Sequence, residues 1–332
     1  MGGDTVSVDV LGDGEHVVEY YAVDRGGNQS ATQRQTFRID RTPPAQPTGG
    51  SETGGVPNDT WQKIVNAPTF TWNPAPDTGS GIARYDLELR LSDGSIVQAV
   101  SRTANDRQFA PGTLGTGAYV LTARSVDVAS NMSAASTLFT FRYDGTAPEN
   151  PDSATHAAGV LNSTWQRLSN LANFTWPAAN DQGSGINDYL VYWGTDPNGE
   201  GGSIGNTTGY SSGAAPCASN AACTGYLRIR SRDRVENLAL NWATVFVMRY
   251  DGALPVVDFT FSGGVTVTNE TLVRLDITAS DEGSGVNAIR FSADGQAWTD
   301  WGSRHPAPHV ANPWHQWTHL ARLCPGAGYG RQ

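Results

Sequence analysis

NDTWQKIVNAPTFTWNPAPDTGSGIARY, residues 58–85, returns as NSTWQRLSNLANFTWPAANDQGSGINDY, residues 162–189. Trp61 maps to Trp165, a displacement of 104 (165 minus 61), and Phe70, Trp72, Gly81 and Tyr85 map to Phe174, Trp176, Gly185 and Tyr189 at the same displacement. Repetition at a fixed spacing is the mark of tandem structural units. A second element, FRYDGTAP at 141–148, recurs as MRYDGALP at 248–255, displaced by 107 (249 minus 142). The second copy has therefore gained three residues in between, and the loop holding Cys217 and Cys223 is the natural place for them.

Partial copies flank the pair. GEHVVEYYAVDRGGNQS near the start matches GAYVLTARSVDVASNMS and GYLRIRSRDRVENLA, each with Asp and Asn four apart: Asp24/Asn28, Asp127/Asn131, Asp233/Asn237. The DxGSG element at Asp77 and Asp181 appears again at Asp281. Within these copies apolar and polar residues alternate with period two, as in His16, Val18, Tyr20 against Val17, Glu19, Tyr21, and Val273, Leu275, Ile277 against Arg274, Asp276, Thr278. Alternation, frequent turns and units near 100 residues indicate an all-β protein of tandem antiparallel β-sandwiches. Phe70 and Trp72, two apart, share one face and are assigned to the core between sheets.

The expected boundaries follow the proline junctions FRIDRTPPAQP, FRYDGTAPENP and MRYDGALPVV. Proline fixes φ and removes a ladder donor, so each junction ends a strand. The reading is 1–44 as the C-terminal part of a truncated repeat, 45–148 and 149–255 as whole repeats, and 256–301 as the N-terminal part of another. Residues 302–332 break the pattern and gather His305, His309, His315 and His319, so they read as a frameshifted or disordered tail. Prolines 306, 308 and 313 disrupt the helix that an i, i+4 histidine metal site would need, and Cys324 adds only one further donor.

Composition narrows the function. Of 332 residues, 22 are Lys or Arg and 32 Asp or Glu, a net charge of −10, which excludes a phosphate-neutralising nucleic-acid binder. Charged residues make up 16% and glycines number 38, suiting short strands between polar turns. No apolar run is long enough to span a bilayer. Nucleophile-elbow, Walker and HExxH patterns are all missing, so no catalytic residue is assigned and the chain reads as non-enzymatic.

Three sets of residues remain as candidates. Cys217 and Cys223, six apart across a Gly/Ala/Ser-rich turn, are either a hairpin disulfide formed in an oxidising compartment or two free thiols. Asp40, Asp144 and Asp251 at the junctions, with Asp77, Asp181 and Asp281 of DxGSG and the aspartates of the DxxxN turn, are calcium candidates, because that ion takes several oxygen ligands. The competing reading is turn chemistry, in which Asp and Asn bond their own backbone. Trp61 and Trp165 lie outside the core pair and are candidate glycan contacts, with burial as the alternative.

The strand–DxxGN–strand–DxTPP pattern over residues 1–301 resembles the bacterial immunoglobulin-like and fibronectin-III-like repeats of large secreted or surface proteins. That resemblance implies a spacer, stalk or adhesive role outside the cytoplasm, facing surface glycans or neighbouring-cell proteins, with no cofactor. The alternative it leaves open is an accessory region, spacer or carbohydrate-binding, of a secreted hydrolase or protease whose catalytic domain lies elsewhere.

Overall fold

The computed structural model describes residues 5, 7–10, 12–169, 171–213, 215–261, 264, 266–267, 269, 272–292, 295–298, 302–303 and 315–322. The described residues contain strands and turns and no α-helix.

The 45–148 repeat is the clearest sandwich. One sheet has three short strands, β3 (Ser51–Glu52), β5 (Phe70–Thr71) and β8 (Gln108–Phe109), in the order β3-β5-β8. The facing sheet has five: β4 (Trp61–Gln62), β10 (Ser136–Tyr143), β9 (Gly117–Asp127), β6 (Ile82–Leu91) and β7 (Ile96–Thr103), in the order β4-β10-β9-β6-β7. Alternation along β6 buries Tyr85, Leu87 and Leu89 and leaves Asp86, Glu88 and Arg90 outward. Leu121 and Ala123 of β9 and Phe139 and Phe141 of β10 complete that face, and Phe70, Trp72 and Phe109 cover it from the smaller sheet. Phe70 is 1% and Trp72 4% exposed, so the paired positions read from sequence fill the core. The Trp72 ring meets Tyr85 edge-on at 5.6 Å, and the Tyr85 hydroxyl accepts the Ala75 amide at 2.9 Å, which gives the buried phenol a partner.

The 149–255 repeat repeats this architecture. Its small sheet is β11 (Thr155–His156), β13 (Ala172–Thr175) and β16 (Gly209–Ser212), and its large sheet runs β12 (Trp165–Gln166), β18 (Ala243–Asp251), β17 (Ala222–Asp233), β14 (Ile186–Gly194) and β15 (Gly202–Ser203). Trp176 again meets Tyr189 edge-on, at 5.8 Å, and Tyr189 accepts the Ala179 amide at 2.9 Å. In both repeats a two-residue Trp-Gln strand pairs in parallel with the last strand, Trp61 opposite Arg142 and Trp165 opposite Arg249. The chain thereby moves from one sheet to the other near its first strand.

The flanking copies carry fewer strands. Strands β1 (Gly14–Tyr20) and β2 (Gln33–Ile39) pair antiparallel as β9 and β10 do, but Tyr20 and Tyr21 stay 58% and 56% exposed, since no second sheet covers the hairpin among the described residues. In the last copy β19 (Val256–Phe261) pairs with β20 (Leu272–Ser280), and β21 (Ala288–Ile289) with β22 (Gly302–Ser303). Ile277 and Ala279 are buried, whereas β19 is exposed throughout.

Within 302–332, read as a tail without regular structure, the backbone of His315–Arg322 runs as β23 and pairs with β20 from Leu272↔Arg322 to Ala279↔His315. Strand β20 offers that stretch a free row of ladder groups. His305, His309 and Cys324 lie outside the described residues.

By contact density the chain forms two compact units, and they do not end at the repeat boundaries. One is 1–148 with the loops 181–186 and 233–237, and the other is 149–180, 187–232 and 238–332. Those two loops join the first unit because Asp144 and Thr146 hold them, as described next.

Candidate functional site

Each junction aspartate closes on the DxGSG loop that follows it by 33 to 40 residues. Asp40 Oδ2 accepts the Ser80 amide at 2.6 Å, Asp144 Oδ2 the Ser184 amide at 2.7 Å, and Asp251 Oδ2 the Ser284 amide at 2.6 Å. The other oxygen of each caps its own turn, through Thr42, Thr146 and Ala253 amides. A glycine must precede the serine: a Cβ on Gly79, Gly183 or Gly283 would overlap the Asp40, Asp144 or Asp251 carboxylate. The DxGSG aspartates shape the loop from within, Asp77 Oδ2 accepting the Gly79 and Gly81 amides and Asp181 Oδ2 those of Gly183 and Gly185. This is the turn chemistry that the sequence offered as the alternative to metal binding.

The DxxxN turn supplies a third carboxylate. Asp127 accepts the Asn131 amide and side chain, each at 2.8 Å, and Asn131 Nδ2 also donates to the Asp40 carbonyl. Asp233 accepts Val235 and Asn237 in the same way, and Asn237 Nδ2 reaches the carbonyls of Asp144 and Thr146. Oxygens of Asp40, Asp77 and Asp127 come within 4.8 Å of one another, and so do those of Asp144, Asp181 and Asp233. The structure therefore brings Asp40 together with Asp77, and Asp144 with Asp181, each pair joined by the DxxxN aspartate of its copy, Asp127 or Asp233. Asp251 and Asp281 form the corresponding pair, without a third carboxylate among the described residues.

The electrostatics differ from member to member. Burial pushes Asp233 above the usual carboxylate range, against the hydrogen bonds of Asn237, and the nearby Asp144 adds to the rise. Asp144 is also opposed by burial, but hydrogen bonds from Ser184 and Thr146 hold it below its ordinary value. Asp40 is lowered chiefly by Ser80. The Asp144 cluster thus pairs a junction aspartate whose hydrogen bonds favour its charge with Asp233, whose ionisation burial opposes.

The remaining candidates have plainer settings. Cys217 and Cys223 are joined by a disulfide, Cα–Cα 6.3 Å, closing the loop that leads into β17. Trp61 is half-buried, and the Arg142 guanidinium stands 5.6 Å from its ring centre. Trp165 is half-buried as well. A shallow depression of about 280 Å³ near Trp176 is lined by Ser153, Thr155, Thr175 and Pro177, none of which can act as an acid or base near neutral pH.

No protein-family model matches the chain. Exoglucanase B of Cellulomonas fimi is 32% identical over 183 residues, which cover 52% of this chain and 15% of that protein. Among solved structures, domains FN1–FN3 of chicken CNTN1 align with a TM-score of 0.33 and 12% identity, over 71% of this chain and 76% of theirs. The fibronectin(III)-like modules of Clostridium thermocellum CbhA align at 0.25 and 11%, over 62% and 94%. The two central repeats are antiparallel two-sheet β-sandwiches. In these sandwiches the acidic clusters sit at the loop ends, away from the aromatic core. Among the described residues no helix is long and apolar enough to cross a membrane.

Proposed function

We propose that this chain is a non-catalytic accessory region of an extracellular polysaccharide-degrading enzyme, serving as a spacer between parts of that protein. The observation that carries the reading is the 32% identity with a stretch of Exoglucanase B that amounts to 15% of it. A region that small, made of filled sandwiches, suits a module attached to a catalytic domain better than the domain itself. The disulfide at Cys217–Cys223 favours an oxidising, extracellular setting. Of the two roles the sequence left open, the exoglucanase similarity favours the accessory one over a surface adhesin.

Two measurements test this. Incubated with cellulose and soluble cello-oligosaccharides, the chain alone should release no reducing sugar above a buffer blank, and steady hydrolysis would overturn the non-catalytic assignment. Sequencing the DNA on either side of this coding region should reveal a glycoside hydrolase domain in the same frame. A wall or membrane anchor with no hydrolase would return the reading to a surface stalk.

A further inference from the structure

We propose that Asp144, Asp181 and Asp233 form a binding site for one hard divalent cation of the calcium type. Three carboxylates alone would not carry this, since acidic groups cluster often without a metal. The deciding observation is what is left unpaired. Asp181 Oδ1 is wholly buried and has no hydrogen-bond partner, while its Oδ2 accepts two amides. Ser184, 3% exposed, also has a buried Oγ without a well-aligned partner, although it stands close enough to stabilise the Asp144 carboxylate. A carboxylate oxygen buried bare is destabilising unless something positive or protic meets it.

The protein supplies no such partner here. Asp144 and Asp233 are each 0% exposed, and no arginine or lysine forms an ion pair with any of the three among the described residues. One shared proton would neutralise one charge and leave two. An all-oxygen donor set instead selects a hard cation, and oxygens up to 4.8 Å apart can flank one ion, because ligands at 2.3–2.6 Å on opposite sides of calcium are about 5 Å apart.

The sister cluster serves as an internal contrast. Around Asp40, Asp77 and Asp127 the serine is used, the Ala129 amide donating to Ser80 Oγ at 3.1 Å. At the corresponding place Val235 donates to Asp233 Oδ1 instead, at 2.9 Å, which leaves Ser184 Oγ without that donor. The Asp40 cluster also has no buried oxygen without a partner among the described residues, so the proposal is confined to the Asp144 cluster.

The test uses the whole 332-residue chain, stripped with a chelator and titrated calorimetrically with calcium chloride. Wild type should bind one equivalent and melt at higher temperature when calcium replaces the chelator. Asp181→Asn should weaken binding at least 10-fold. Its carbonyl oxygen can still accept the Gly183 and Gly185 amides, and its NH2 would take the place of the unpartnered Oδ1. Its melting temperature in chelator should therefore equal or exceed that of wild type, which separates loss of the site from loss of the fold. Asp77→Asn should leave the binding in place. The proposal fails if wild type shows neither heat nor a melting shift with calcium. It also fails if Asp181→Asn binds as wild type does, or if Asp77→Asn abolishes the binding.

Discussion

Replacing Ser130 and Glu236 by glycine should stabilise the protein, although each removes a side chain. Both residues occupy the fourth position of the DxxxN turn with positive φ, 73° and 67°, where the first copy has Gly27 at 86°. A non-glycine residue in the left-handed region carries a steric cost of about 1–2 kcal/mol. Glycine relieves it but gives back roughly 0.5–1 kcal/mol through the larger entropy of the unfolded chain. Both side chains are exposed, so no packing is lost. The net gain is about 0.5–1 kcal/mol per site. The two turns share no hydrogen-bond partner, Asn131 reaching Asp40 and Asn237 reaching Asp144, so the gains should add. Ser130 follows β9 and Glu236 follows β17, in different sandwiches, so the double variant is read over the whole melting profile. For a unit of this size the double variant should melt about 2–6 °C higher by calorimetry. Ser130→Ala and Glu236→Ala are the controls, since they keep the Cβ and the strain. Glycine variants no more stable than the alanine ones would refute the reasoning.

Gly183→Ala should cost about 1–3 kcal/mol, because its Cβ must displace the buried Asp144 carboxylate; Gly115→Ala, where φ is not positive and a Cβ meets nothing, isolates the backbone contribution in the same urea titration. Tyr189→Phe keeps the edge-on contact with Trp176 but orphans the Ala179 amide, for a loss of about 1–3 kcal/mol; a melting curve matching wild type would show that water satisfies that amide. Asp188 is held low chiefly by the hydrogen bond from Arg232, so the stability it contributes is present above pH 3.8 and lost as pH falls through its lowered value. The stability gap between wild type and Asp188→Asn, read by urea unfolding, should therefore be widest near neutrality and close in acid. Replacing Cys217 and Cys223 together by serine opens a loop of six-residue separation and should cost about 2 kcal/mol in wild type without reductant, and nothing when both proteins are reduced.

How far the sequence could be read depended on whether the signal was local. Period-two alternation in FTW placed Phe70 and Trp72 in the core because a strand's faces follow directly from residue parity. The parallel Trp61–Arg142 and Trp165–Arg249 pairings had no such signal. Two residues cannot show a period, and their partners lie more than 80 positions away. The acidic clusters were legible only in part, for a related reason. Each aspartate was visible, and so was the Asp–Asn spacing of four. That Asp127 would join Asp40 and Asp77 depends on which loop ends the sandwich topology brings together, and turn chemistry explained each motif without it. His315–Arg322 lies in the stretch where the sequence showed no alternation, so no strand was read there.

The three junctions also separate two roles that the same aspartates play. The bond from Asp40, Asp144 or Asp251 to the serine amide forms every time, and so does the glycine contact beneath it. It forms at Asp251 even though no third carboxylate accompanies it among the described residues. Holding the DxGSG loop against the preceding strand end is therefore independent of the full acidic set, and hydrogen bonding accounts for it. What hydrogen bonding does not account for is confined to one cluster, where Asp181 keeps an oxygen buried and unmet. Substitutions should divide accordingly. Asp144→Ala removes the acceptor for Ser184 and Thr146 and should destabilise the fold with or without calcium, whereas Asp181→Asn leaves that contact intact and should act only where calcium is present.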